Sequence, residues 1–193
     1  MPDLAAMMVP YQRHSPTVRE AISSLDKAGT GNNKNLCKAK ITLTAKPVLR
    51  KSPYAGMLFN GLGRPVRIDG YCATLPATMG GNKTPIIDEK ALYQNEQHWI
   101  EKYHKDITSG AVKAEYGNAP SFLRRLTVEE CTIIQTFPAT FKFYGSQSSQ
   151  CRQIGNAVPC NLAYSVAQMV SDCINEEINS KIISMPFQLK LAC

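Results

Sequence analysis

Acidic residues are missing from one long stretch of this chain. Between Asp26 and Asp69 there is none, while Lys27, Lys34, Lys38, Lys40, Lys46, Arg50, Lys51, Arg64 and Arg67 supply nine cations. Long apolar runs are missing as well: no segment approaches the roughly 18 apolar residues that a membrane span needs. Residues 1–10 lack the cationic start and apolar core of a secretory signal, so a cytoplasmic location and no membrane partner are expected. The seven cysteines contain no Cys-x-x-Cys pair, and His14, His98 and His104 form no His-Glu-x-x-His. A disulfide framework and a zinc site are both disfavoured, and no metal is expected.

What is present is a globular composition, 44% hydrophobic and 19% charged over 193 residues, enough for one ordinary domain or two small ones. The formal net charge of +7 is unevenly placed. Residues 1–70 carry eleven Lys/Arg against four Asp/Glu, and the other 123 residues carry eleven of each. A field of that sign favours a polyanion, of which nucleic acid is the usual one. On charge alone, a solvated basic face explains the same pattern.

Val18, Ile22 and Leu25 predict a short helix over 17–25, with Thr17 as its cap. After a turn-rich stretch over 28–34, Lys40-Ile41-Thr42-Leu43-Thr44 alternates as a strand does. Glycine and proline recur from 53 to 87, which favours short strands and loops over helices. Trp99, Tyr103 and Ile107 predict a helix over 95–109 capped by Asn95, with Trp99 read as core rather than as a base-stacking platform. Thr127 and Glu130 have capping-box spacing, Leu126 and Cys131 can staple that helix start, and Pro138 stops the chain after Gln135 or Thr136. A last helix is expected to open at Asn156, to hold Pro159 in its first turn and to run to about 178. Its stripe of Leu162, Val166, Val170, Cys173 and Ile174 needs something to cover it. The apolar tail over 179–193 has no assigned role.

Two blocks are sharper than any of these patterns. Arg124-x-Leu126-Thr127-x-x-Glu130, leading to Gln135-x-Phe137-Pro138, is followed after a short loop by Gln153-x-Gly155-Asn156-Ala157-Val158-Pro159. Both resemble, position by position and at the right spacing, the last two sequence blocks of the DNA cytosine-5 methyltransferases. The resemblance covers roughly residues 17–172, with its sharp motifs confined to 74–76 and 124–159. Within it, Thr74-Leu75 looks like the family's Thr-Leu dipeptide, which holds the backbone near an extruded nucleotide.

The resemblance implies an α/β protein: a small, loop-rich, mixed target-recognition domain over 1–120, then C-terminal helices over 121–178 that belong to an incomplete S-adenosylmethionine-dependent domain. It implies double-stranded DNA as partner and S-adenosylmethionine as cofactor. Thr74, Leu75, Arg50, Lys51, Arg64, Arg67 and Lys83 become candidates for DNA contact, because guanidinium groups bond guanine bidentately and ammonium groups neutralise phosphate. Gly80-Gly81-Asn82-Lys83-Thr84 suits close approach to phosphate. Gly155, Asn156 and Ala157 become candidates for cofactor contact, on the expectation that they sit at a helix N-terminus suited to a carboxylate. Asn156 as a plain cap is an equally good reading of the same residue. Arg124, Thr127, Glu130, Gln135 and Pro138 are structural members of the motif.

Two decoys resemble chemistry. Phe59-Asn60-Gly61-Leu62-Gly63 matches the family's cofactor loop but follows Ser52-Pro53-Tyr54 rather than a buried strand, and it reads as a turn. Pro159-Cys160-Asn161 is similar to the catalytic Pro-Cys-Gln but lies inside the last block, so Cys160 is expected in a core. No Glu-Asn-Val and no Gln-x-Arg-x-Arg occurs. No catalytic residue is therefore assigned in this chain, and alone it is expected to be inactive and to need a separate catalytic methyltransferase chain. The alternative is a free-standing, sequence-specific DNA-binding protein.

Overall fold

The computed structural model describes residues 3–174. The chain divides into a unit of Ser15–Ala157 and a second unit that, among the described residues, joins 3–14 to 158–174. Residues 121–157 thus pack with the region before them.

In the larger unit, α2 (Val18–Ile22) opens with a full capping box between Thr17 and Glu20 and ends at Ser23, short of Leu25. Strand β1 (Thr42–Val48) is flanked by β2 (Met57–Phe59) and β4 (Gly117–Asn118) in an antiparallel sheet of order β2-β1-β4. A second ribbon pairs β3 (Ile86–Asp88) with β5 (Leu123–Arg125), in register Ile86 to Arg125 and Ile87 to Arg124. Because side chains alternate along a strand, Arg124 and Arg125 leave β5 on opposite faces.

The expected helix over 95–109 is α4 (Trp99–Thr108), and Asn95 is not its cap. Asn95 has φ 56° and terminates α3 (Glu89–Gln94), a helix that the periodicity did not reveal. One residue organises both helix starts: Asp88 Oδ1 accepts from the N–H groups of Lys90 and Ala91, and its Oδ2 accepts from Trp99 N at 2.9 Å. Trp99 stacks on Tyr103 with ring centroids 4.5 Å apart, against a core of Leu58, Phe59, Ile86, Ile100 and Leu123. A larger core joins Val18 and Ile22 to Ile68, Leu75, Met79, Ile87, Leu126, Cys131 and Ile154.

Helix α5 (Val128–Ile134) carries the predicted capping box, and Leu126 and Cys131 are both buried. The expectation of one last helix opening at Asn156 is overturned. Asn156 is the final residue of α6 (Gln147–Asn156), Ala157 is extended at φ −81°, ψ 147°, and α7 (Cys160–Ile174) starts afresh. Pro159 is the physical reason: it lacks an N–H and drives the residue before it out of the helical region. Ser146 caps α6 by accepting from Ser149 N at 3.3 Å. Ser146→Ala should cost about 1 kcal/mol, and a urea melt of the chain checks it.

In the smaller unit, α1 (Leu4–Met8) and the 3-10 turn Val9–Tyr11 pack on α7, where Tyr11 Oη donates to Asp172 Oδ2 and Arg13 lies over the Tyr164 ring. Ser165 and Met169 of α7 are buried, whereas Leu162, Val166, Val170 and Ile174 are exposed by 40 to 75%. Cys160 is half-buried instead of being a core residue, because α7 starts at it. The expected extension to 178 and the 179–193 tail lie outside the described residues. No helix among the described residues is long and apolar enough to cross a membrane.

Candidate nucleic-acid interface and its anchoring network

The motif residues lock to one another first. Arg124 forks onto Glu130, Nη2 to Oε1 at 2.7 Å and Nη1 to Oε2 at 2.8 Å, while its Nε donates to Glu89 Oε1 at 2.7 Å. Glu130 also accepts from Thr127 N at 2.9 Å and from Asn33 Nδ2 at 3.3 Å, and its side chain is 1% exposed. Burial alone would pull the Arg124 pKa down, but the hydrogen bonds and charges of Glu130 and Glu89 outweigh it and the guanidinium stays firmly protonated. Thr127 Oγ1 accepts from Glu130 N and donates to Asn33 Oδ1, so the capping box reaches across to the turn-rich 28–34 loop.

Gln135 has a role that spacing could not reveal. Its Nε2 donates to the carbonyl oxygens of Ile154 and Ala157, closing the end of α6. Gly155, in the last turn of that helix, lies where a Cβ would come within 2.3 Å of the Pro76 carbonyl oxygen and 3.2 Å of Ala77 Cα. Only a glycine allows α6 to approach the turn that follows Thr74-Leu75. In that turn Leu75 is buried in the larger core and Thr74 is exposed, so Leu75 anchors while Thr74 faces outward. Pro138 is exposed and ends α5's extension past Thr136, which has φ 59°.

Among the described residues none of the nine cations from Lys27 to Arg67 is paired with a carboxylate. Arg50, Lys51 and Arg64 are exposed. Arg67 lies over the Tyr54 ring at 5.0 Å and Lys27 over Tyr93 at 5.7 Å. Lys83 is half-buried on the 3-10 turn Gly81–Lys83, beside the loop 60–63. That loop carries the Asn-Gly-Leu-Gly of the decoy and follows Leu58 and Phe59 of β2, so a short buried strand does precede it, and it is followed by no helix: Gly63 N donates to Asn82 O at 3.1 Å.

Sequence reasoning passed over Arg125, the undefined position of Arg-x-Leu-Thr. It is 1% exposed and donates to three backbone carbonyls, Thr84 O at 2.7 Å and Ala39 O and Lys40 O at 3.2 Å each. Two adjacent arginines on a short strand were the available signal, since alternation sends them to opposite faces.

The helix end also changes the reading of the last block. Gly155, Asn156 and Ala157 close the C-terminus of α6, whose partial charge is negative, so a carboxylate gains nothing from that dipole. The Asn156 side chain is exposed at this end. Burial pushes the Cys72 and Cys151 thiols up to about 11 and raises Cys131 further, which keeps all three neutral and unreactive. Among the described residues no group of three or more His, Cys, Asp or Glu is placed to hold a metal ion.

The class of protein comes from comparison with known families. The family model for C-5 cytosine-specific DNA methylase matches residues 7–172, and the chain belongs to that family. It is similar to the Type II methyltransferase M.HgiDI of Herpetosiphon aurantiacus, 42% identical over 66 residues, 34% of this chain and 21% of that protein. It is 46% identical to M.Bpa9945I of Bacillus paralicheniformis over 96 residues, 48% of this chain and 22% of the relative. With M.Sau96I of Staphylococcus aureus it shares 29% over 132 residues, 68% of this chain and 24% of the relative. The chain thus spans about a quarter or less of the length of these relatives.

Proposed function

We propose that these residues form the DNA-reading part, over 1–120, and the C-terminal elements, over 121–178, of a DNA cytosine-5 methyltransferase of restriction-modification type. The observation that carries this reading is the coupling of the last block to the Thr-Leu turn. Gly155 abuts Pro76, and Gln135 holds Ile154 and Ala157, so elements that would dock on a catalytic domain fix a turn that would lie on DNA. Thr74, with Leu75 anchoring it, then touches the DNA backbone, and Arg50, Lys51, Arg64, Arg67 and Lys83 reach phosphate or base edges.

S-adenosylmethionine supplies the methyl group in this family's chemistry. The exposed amide of Asn156, beside Gly155 and the extended Ala157, fits one end of such a ligand. It would bond the methionine moiety through a side chain at a helix C-terminus, where an ammonium is better placed than a carboxylate.

The nucleophile and base-binding glutamate are absent from these 193 residues, so alone they bind DNA without methylating it. The exposed apolar face of α7, Leu162, Val166 and Val170, is where a separate catalytic chain docks. Tritium transfer from labelled S-adenosylmethionine to DNA tests the reading, with this chain alone and mixed with a chain carrying the Pro-Cys-Gln and Glu-Asn-Val blocks. Activity only in the mixture is the expected result. Silence in both, with DNA binding retained, would make it a free-standing binder. In the same DNA titrations, replacing Arg50, Lys51 and Arg64 together by alanine should flatten the dependence of log affinity on log salt by about 0.9 for each phosphate that is no longer neutralised. An unchanged slope would remove those three from the interface.

A further inference from the structure

We infer that Arg125 is a positioning residue for DNA recognition, a buried guanidinium that clamps the backbone entering β1 to the loop that carries Lys83. The inference rests on the DNA-binding reading above and assigns a function to a residue outside that reading.

The geometry is that of a three-way tie. Arg125 leaves β5 on the face opposite the Arg124–Glu130 pair, and its three donating nitrogens end on carbonyls from two segments about forty residues apart in sequence. Ala39 and Lys40 belong to the acid-free basic stretch, and Thr84 directly follows Lys83. A third segment leaves room for the tie: a Cβ on Gly63 would stand 2.5 Å from Arg125 Nη1 and 2.4 Å from Thr84 O. Removing the guanidinium releases both bonded segments at once, because all three carbonyls are held by the one side chain.

The choice of partners carries the functional argument. A buried arginine is ordinarily matched by a carboxylate. Here no carboxylate pairs with it among the described residues, and burial draws its pKa down. Carbonyl dipoles satisfy the N–H groups but leave the unit charge uncancelled. A carboxylate on one of these loops would pair with the guanidinium and would neutralise the field that the neighbouring lysines present to phosphate. Clamping through carbonyls fixes both loops and retains the positive charge, a combination that serves an anion-binding surface.

The test is a set of salt titrations of a mixed-sequence DNA duplex with the full chain, comparing wild type, Arg125→Met, Arg125→Lys and Lys83→Ala in each background. The slope of log affinity against log salt counts the phosphates neutralised, and it is not moved by destabilisation as long as the folded fraction stays constant across the salt range, which circular dichroism at each salt concentration checks. In wild type, Lys83→Ala should lower the slope by about 0.9. In Arg125→Met the slope should already be lower by at least that amount, and adding Lys83→Ala should change it no further. Arg125→Lys keeps the charge and the fold but cannot fork across both segments. It should likewise abolish the Lys83 effect, and it decides the matter if the methionine variant does not fold. A full Lys83 effect in Arg125→Lys, or none in wild type, overturns the inference and leaves the DNA reading standing. Absence of salt-dependent binding by wild type overturns both.

Discussion

Arg124→Met should destabilise the chain by about 3–5 kcal/mol, the range for breaking a buried ion pair by removing one partner. The cost comes from what remains. Glu130 is almost fully enclosed, and without the guanidinium its carboxylate keeps only two neutral donors, Thr127 N and Asn33 Nδ2. Glu89 loses the Nε bond as well. Changing both partners, Arg124→Met with Glu130→Gln, should recover part of the loss, because no unpaired charge is then buried. The contrast with Arg19 and Asp69 shows why distance alone does not set the energy. That pair is as close, 2.6 Å, but Asp69 is 60% exposed, and although the Arg19 hydrogen bond lowers its pKa, solvent screening limits Asp69→Asn to about 0–1 kcal/mol. Guanidinium chloride midpoints of the three variants check the set. A shift under about 1 kcal/mol for Arg124→Met would mean that water reaches Glu130.

How much of the fold is legible in the sequence follows from the chain separation of each interaction. The Thr127–Glu130 capping box is closed within one turn, so spacing alone locates it; the Thr17–Glu20 box is as local, and of it the sequence reading has only the Thr17 cap. Asn95 misleads because the same residue type serves either helix end: an asparagine ahead of a periodic run looks like an N-cap, yet its left-handed backbone ends α3. Asp88 does the capping from eleven residues before Trp99, beyond what a local pattern reports. Pro159 is ambiguous in kind. A proline fits the first turn of a continuing helix and also a fresh start, and the contacts that hold the end of α6, from Gln135 to Ala157 O and from Pro76 to Gly155, come from 22 and 79 residues earlier in the chain. The family blocks pick out residues that bond to one another within the larger unit. Their spacing carries no information on which of them face DNA and which hold the chain together, and Arg125 lies hidden in a position that the motif leaves undefined.

Gly155→Ala separates those two roles most cleanly, because two opposing effects of known size meet at one atom. Inside an exposed helix the change from glycine to alanine gains about 1 kcal/mol in propensity. Here the new Cβ would sit 2.3 Å from a backbone carbonyl oxygen, and neither α6 nor the Pro76 turn can swing a flexible side chain out of its way. Relief requires the two to separate by roughly 1 Å, with the overpacking penalty of about 1–3 kcal/mol and disturbance of the Gln135 bonds that close the same helix end. The steric effect should win, giving a net loss of about 2 kcal/mol in a denaturant melt. The same displacement moves Thr74, so DNA affinity should fall at salt concentrations where the variant is still fully folded. Gly155→Ala that is as stable as wild type would show that α6 packs less closely on the turn than the 2.3 Å approach requires. A variant that is destabilised but binds DNA normally would confine the last block to holding the fold and would release Thr74 from the interface.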